Sequence, residues 1–435
     1  MPATAALSSS CSGVRRKSIA RHTNGRPPLG AVGPPGNAER RRRRTAMVGS
    51  VGQSEVVPGM TVRVRPNPRP LSAIVLAAGE GTRMRSSTPK PLHRLCGRPM
   101  ILHVLDALAE LPVDRVVIVV GHNANEVVKT IQAEAPGDLT IEFVEQLEPR
   151  GTGDAVAVGL TGFPDSFGSD LDEGDLVVLP GDTPLVRPAT LAHLVREHRL
   201  LDAAATVLTA KLEDPFGYSR VLRSKDGRVS RILDDADCSP EELDVDEVAS
   251  QIYCFRHSVL APALRRLSPD NPLGEYFLTD TIEVLHGAGY TVTTVVSGDP
   301  MEAAGVNDRS QLAAAEAELR SRVNDRWMRR GVTMWDPEAT YIDVTVLLDP
   351  DVTLLPGVVL EGSTRIGEGS VIGPNCHLTD CDVGEGVRIT HSVGERAVIE
   401  DHVVVGAFSV LEPGTRLARG ERLGAFFGAS PPAGG

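Results

Sequence analysis

From Leu71 onward the chain alternates short, unbroken apolar runs with stretches in which apolar residues return every three or four positions. The runs are AIVLA (Ala73–Ala77), RVVIVVG (Arg115–Gly121), IEFVEQ (Ile141–Gln146) and DLVVLPGD (Asp175–Asp182). Each is short and bounded by turn residues, so each reads as a buried strand. Between and after them, MILHVLDALAEL (Met100–Leu111), NEVVKTIQ (Asn125–Gln132) and TLAHLVREH (Thr190–His198) carry helical spacing. Strands that are apolar on both faces and joined through helices predict a doubly wound, mostly parallel, Rossmann-like α/β sheet. In such sheets ligands gather at the carboxyl ends of the strands.

Two other textures follow. Asn307–Arg330 is charged and Ala-rich and reads as one connecting helix stopped at Gly331. Beyond about Glu338 the chain falls into six-residue units: IGEGSV (Ile366–Val371) and IGPNCH (Ile372–His377) back to back, then VGEGVR (Val383–Arg388), VGAFSV (Val405–Val410) and LEPGTR (Leu411–Arg416). One inward aliphatic per side, with Gly or Asn at corners of positive φ, is the signature of a hexapeptide β-helix, here a short left-handed parallel one. The expected organisation is a disordered basic tail over 1–69 and an α/β domain over 70–305. A connecting helix and linker follow over 306–337, then the β-helix over 338–428 and a disordered tail over 429–435.

Charge is unevenly spread. Residues 1–69 hold 13 Lys and Arg, with Arg40 to Arg44 unbroken, against Glu39 and Glu55. That leaves the remainder near −23 in a chain whose net charge is −12. An acidic body excludes nucleic acid as a partner, because nonspecific binding depends on basic patches that neutralise phosphates. The tail lacks a secretory apolar core. It reads either as an organelle transit peptide or, the reading favoured by the bacterial character of the rest, as leader ahead of a start at Met47 or Met60. Gly and Pro (43 and 32 of 435 residues) make about a sixth of the chain against a usual share of about 12%. The tail and the turn-rich repeats absorb that excess. Six cysteines show no zinc-ligand spacing and read as reduced thiols of a cytoplasmic protein. No apolar run is long enough to span a membrane.

The candidate chemistry sits after the first run, in LAAGEGTRMRSSTPK (Leu76–Lys90). Leu76, Ala77 and Ala78 lead into a loop where Gly79 and Gly81 let backbone N–H groups approach phosphate oxygens, with Thr82 as a further donor. Arg83 and Lys90 add two cations suited to a triphosphate undergoing transfer. The string is neither a dinucleotide fingerprint, since Met84 takes the third glycine's place, nor a P-loop.

This string resembles the signature L-x-x-G-x-G-T-R-M-x-x-x-x-P-K of sugar-1-phosphate nucleotidyltransferases. It is most similar to that of the bacterial family of bifunctional N-acetylglucosamine-1-phosphate uridylyltransferase / glucosamine-1-phosphate N-acetyltransferases. PLHRLCGRPMI (Pro91–Ile101), EQLEPRGTGDAV (Glu145–Val156), LPGDTPL (Leu179–Leu185), DPFGYSRV (Asp214–Val221), GEYFLTD (Gly274–Asp280) and GVNDR (Gly305–Arg309) match in order, and the resemblance runs from about Leu71 to Phe426. It implies UTP and a sugar 1-phosphate as substrates and Mg²⁺ held by Asp182 and Asn307, a small protein ligand set of the kind Mg²⁺ takes. It also implies Arg83 and Lys90 as catalytic cations, and Gln146, Gly151 and Thr152 as contacts to uracil. The resemblance also implies that Ser219, Asp234, Ala249 and Thr279 line the sugar pocket, and that homotrimers form through the β-helix.

Several positions depart from the family pattern. Asp234 stands where Glu is usual, Ala249 where Asn is usual and Ser219 where Gly is usual, while Phe277 lacks an aromatic hydroxyl. A buried sugar group left without its partner costs about 1–3 kcal/mol, so another sugar phosphate, or dTTP, is the alternative substrate. A non-catalytic regulatory paralogue is the alternative of another class. In the β-helix Glu412 reverses a family arginine, and the sequence given stops soon after GAFF (Gly424–Phe427). The expectation there is a truncated acetyltransferase half without activity, with His377, His391 and His402 as solvated face residues.

Overall fold

The computed structural model describes residues 69–121, 124–163 and 174–428. The tail expected over residues 1–69 lies outside these apart from Arg69, and so does the tail expected over 429–435.

The apolar runs become strands of one sheet. In chain order these are β1 (Leu71–Ala77), β4 (Arg115–Gly121), β5 (Ile141–Gln146), β6 (Asp175–Pro180), β7 (Ala205–Lys211), β8 (Arg220–Arg223), β9 (Val229–Leu233), β10 (Glu247–Arg256) and β11 (Val292–Val296). A two-residue-per-strand hairpin, β2 (Arg94–Leu95) with β3 (Arg98–Pro99), stands apart from it. The order is β11-β7-β10-β6-β1-β4-β5, with β8 branching from β10 and pairing with β9. β1 runs parallel to β4 and β6, β4 to β5, and β11 to β7, while β10 lies antiparallel between β6 and β7. The doubly wound, mostly parallel reading therefore holds, with β10 reversed in the main path and β8 and β9 forming an antiparallel branch.

Alternation along the strands divides the core in two. Ala73, Val75, Ile118 and Val177 face helices α1 (Met100–Ala109), α2 (Asn125–Glu134) and α4 (Pro188–Leu200). Ile74, Val117, Val119 and Val178 face α3 (Thr152–Leu160), α6 (His257–Leu264) and α7 (Asp280–Gly287). The short α5 (Pro240–Leu243) is closed by a capping box in which Ser239 and Glu242 satisfy each other's backbone N–H. Among the described residues no helix is long and apolar enough to cross a membrane.

Helix α8 (Arg309–Arg329) is the connector. The Asp308 carboxylate caps it by accepting from the Gln311 N–H, and Gly331 follows at φ 99. Beyond it, two- and three-residue strands stack into parallel sheets of six, five and five strands, a left-handed parallel β-helix. The residue that opens each hexapeptide unit points inward: Ile366, Ile372, Val383, Val405 and Leu411 are all essentially buried. Midway the sides tighten, and Gly394 takes the inward position between Leu378 and Leu411. A Cβ there would lie 3.1 Å from Leu378 and 3.4 Å from the Cys381 sulfur, so the thinner coil leaves little space for a side chain. Buried hydroxyls at the corners are paired with backbone: Ser370 Oγ donates to Gly384 O (2.9 Å) and accepts from Val387 N (3.0 Å). The five described cysteines are unpaired thiols.

Candidate active site

The carboxyl ends of β1, β4, β5 and β6 lie level, Ala77 opposite Val120, Gln146 opposite Gly121 and Leu76 opposite Pro180. Leu76 and Ala77 end β1 at this edge, and Ala78 starts the loop beyond it. Gly121 is needed for that start, since a Cβ on it would sit 2.8 Å from the Ala78 carbonyl. Gly79 has open space around it, whereas Gly81 sits at φ 64 with its missing Cβ only 2.6 Å from Lys90 Cβ. Glycine at 81 thus serves both the left-handed turn and the close passage of Lys90. Thr82–Met84 form one 3₁₀ turn that buries Met84 in the third-glycine position and leaves Thr82 and Arg83 exposed. The methionine anchors the loop from below.

Four expected residues meet here from three distant segments. Lys90 Nζ forms an ion pair with Asp182 Oδ2 and donates to Asn307 Oδ1 at 2.8 Å. Arg83 Nη2 donates to the same Asn307 oxygen at 3.0 Å. Asp182 follows β6 through Gly181, whose N–H bonds Leu76 O (2.8 Å), and its own carbonyl accepts from Val306 N (2.9 Å). A cation already sits against the Asp182 carboxylate and the Asn307 amide oxygen, so two hard oxygens converge where a positive charge is wanted. That donor set fits Mg²⁺, which takes one or two protein oxygens and fills its octahedron with phosphates and water. Among the described residues no group of three or more His, Cys, Asp or Glu could hold a metal.

Arg309, at the end of the GVNDR stretch, adds a contact that no motif announces. Its Nε donates to Met84 O (3.2 Å), and its guanidinium lies beside His93, so α8 holds the loop from the far side. Burial, and then Arg309, keep His93 below the usual imidazole range.

The loop expected to meet the base is a second constellation. Gln146 is buried, and its Nε2 donates to Asp154 Oδ2 (2.8 Å) and more weakly toward Gly151 O (3.4 Å). Gly151 stands at φ 102, and a Cβ on it would meet Tyr276 O at 2.5 Å. Thr152 Oγ1 accepts from Leu278 N (3.0 Å), so the GEYFLTD segment lies directly on the GTG turn.

The third group gathers at the same edge. Ser219 O accepts from Ala249 N (3.0 Å), and the Ser219 hydroxyl donates to the Asp234 carboxylate. Ala249 is buried beside a bulge in β10, with Gln251 at φ 61. Thr279 precedes α7, and the next residue, Asp280, has its carboxyl raised by burial and then by Glu283 and Asp234. Tyr253, wholly buried, stacks on Phe255, and burial with Asp234 and Asp280 nearby raises its phenol. The serine and the aspartate, both departures from the family pattern, are therefore partners. The Ser219 hydroxyl occupies one acceptor of the shortened carboxylate.

In the β-helix, His377 and His402 are exposed, as expected of solvated residues, and His377 Nε2 pairs with Glu361 (2.8 Å). His391 differs: it is half-buried in a corner ladder, its ring 5.7 Å from Phe408, which stacks on Phe426.

Residues 73–279 match the model of the MobA-like NTP transferase domain. The chain is 42% identical over 355 residues to the bifunctional protein GlmU of Desulfitobacterium hafniense, covering 82% of this chain and 75% of that protein. It is 43% identical over 361 residues to the bifunctional protein GlmU of Mycobacterium tuberculosis (82% and 72%) and 42% over 356 residues to that of Clavibacter sepedonicus (82% and 71%). With its glycine loop, cations and carboxylate assembled at the edge of an NTP-transferase sheet and a β-helix behind it, the chain is a nucleotidyltransferase and belongs to the GlmU family.

Proposed function

We propose that this nucleotidyltransferase joins UTP to N-acetylglucosamine 1-phosphate, giving UDP-N-acetylglucosamine and pyrophosphate, with Mg²⁺ at Asp182 and Asn307. The observation that carries the reading is the contact of Lys90 with both oxygens, beside the loop of Gly79, Gly81 and Thr82. Mg²⁺ supplies charge neutralisation at the triphosphate oxygens when bound. Lys90 then exchanges its two protein partners for phosphate oxygens, and Arg83 releases Asn307 to do the same. Leu76, Ala77 and Ala78 bring the backbone to the nucleotide. Gln146, fixed through its amide N–H by Asp154, turns its carbonyl end to a pyrimidine N3–H, and the Gly151–Thr152 backbone completes the base contact. In-line attack by the sugar phosphate on the α-phosphorus expels pyrophosphate without a covalent enzyme intermediate, so placement and fixed charge do the work.

On the sugar side, Ser219, Asp234, Ala249 and Thr279 form the pocket wall. Ala249 brings no polar side chain, and Asp234 is already partnered by Ser219, which favours weaker discrimination among sugar phosphates than an Asn–Glu pair gives. The β-helix is proposed to bring three copies together. The domain limits proposed are 70–305 for transfer, 306–337 for the connector and 338–428 for the β-helix. The test is pyrophosphate release from UTP or dTTP with a panel of sugar 1-phosphates, with and without Mg²⁺. Fastest turnover with UTP and N-acetylglucosamine 1-phosphate, abolished by chelation, supports the reading; faster turnover with another pair replaces the substrate.

A further inference from the structure

Helix α8 is pinned at two places, and the second has no role in the reading so far. At its start, Val306 N bonds Asp182 O, and Asn307 directly precedes the capping Asp308. Roughly 20 Å further along the axis, at 1.5 Å per residue, Arg322 spreads its guanidinium over three acceptors. Nη1 donates to Leu185 O (2.7 Å), Nη2 to Asp299 Oδ2 (3.0 Å) and Nε to Glu318 Oε1 (2.7 Å).

Leu185 belongs to the turn that carries Asp182, and Asp299 to the loop that leads into Asn307. Asp299 also accepts from Arg187 Nη2 (2.9 Å) and, through Oδ1, from Met301 N (3.0 Å). The Arg187 N–H in turn bonds the nearly buried Glu302 carboxylate (3.1 Å). One planar group thus ties both oxygen-bearing segments to each other and to the helix. A lysine, a point charge without the fork, could not make the same three bonds. Next along α8, Val323 and Trp327 sit in the β-helix core, and Asn324 Nδ2 donates to Pro337 O and Thr340 O (2.8 and 2.9 Å). The stretch that clamps the two segments is therefore also the stretch rooted in the β-helix.

We infer that Arg322 is a positioning residue that sets the spacing of Asp182 and Asn307, and through it the hold on the divalent cation. This rests on the proposed reading of those two residues as metal ligands. The test follows Mn²⁺ binding to the full chain in the presence of UTP by the electron paramagnetic resonance of free Mn²⁺, with kcat measured alongside. Arg322→Met, which keeps the apolar stem, and Asp299→Asn each weaken Mn²⁺ binding by about tenfold, within the range for residues that orient metal ligands. The double variant is no worse than either single one, because both break one network. Arg329→Met, an exposed position on the same helix that pairs with Asp325 outside this network, leaves binding and kcat unchanged. Arg322→Met and Asp299→Asn that melt at lower temperature yet bind Mn²⁺ like the wild type overturn the inference and leave Arg322 a plain helix anchor. Should Arg322→Met fail to fold, Asp299→Asn alone decides on the same readout. Asp182→Asn with wild-type Mn²⁺ binding overturns the ligand reading instead, a separate failure.

Discussion

The α/β domain and the β-helix are built on opposite principles of contact. In the β-helix each rung pairs with the next, Leu360 with Leu378 and Leu378 with Gly394, so interior residues are held mainly by the adjacent rungs. In the α/β domain the decisive side-chain contacts close over 92, 217 and 224 positions, from Lys90 to Asp182, Lys90 to Asn307 and Arg83 to Asn307. A repeat stack spreads damage into stability, roughly as a sum over neighbours. A site closed over long distances fails in function first. The two regions should therefore separate in mutagenesis, one in melting and the other in turnover.

The largest stability effect is expected away from both the site and the rungs, at the amino-terminal end of β6. Asp175 is fully buried there against Arg199 (2.6 Å), His198 (3.5 Å) and Arg69 (3.5 Å). Burial alone would raise its carboxyl, but the neighbouring His198 imidazole and the hydrogen bond from Arg199 hold it below the ordinary range. A depressed carboxylate adds stability above its unfolded pKa of about 3.9, and that stability is lost as pH falls through the folded value. Asp175→Asn should cost about 3–5 kcal/mol at neutral pH, the range for breaking one partner of a buried pair. In denaturant titrations the gap to wild type should narrow below pH 4, as the wild-type carboxyl itself protonates. A gap that does not change with pH would remove the ion-pair account.

Next comes the rung residue Leu378. Leu378→Ala should destabilise by about 2–5 kcal/mol while the KM for UTP stays as in wild type. A large KM change would break the comparison, because it would show the coils talking to the base loop. The smallest effect is expected at Ser219. Ser219→Ala removes the Asp234 partner, and a shift of about 1 kcal/mol should appear in the KM for the sugar phosphate alone. An equal change for UTP would place the pair outside the sugar pocket.

Legibility followed the same divide. Strands β1, β4, β5 and β6 were readable because continuous apolar runs announce burial on both faces, and the inward aliphatics of the hexapeptide units were readable for the same local reason. β10 was not, because EVASQIYCF is interrupted by Ser250 and Gln251, where the strand bulges between Ala249 and Tyr253. Gly394 hid the tightened coils, having no side chain to mark its inward position. The partnership of Ser219 with Asp234 and the reach of Arg322 to Asp299 left no sequence trace, since neither pair forms a motif. Lys90, Asp182 and Asn307 could be named separately from the resemblance, but their convergence is a property of the folded edge.

The role of Lys90 at this edge is decided by pyrophosphate release from UTP and N-acetylglucosamine 1-phosphate with Mg²⁺, by wild type and Lys90→Ala side by side. Wild type should release pyrophosphate steadily and the variant should lose roughly 10²–10³-fold in kcat, the scale for removing one fixed group that stabilises transition-state charge, with an unshifted melting curve for the β-helix. Equal turnover in the two proteins would contradict that role.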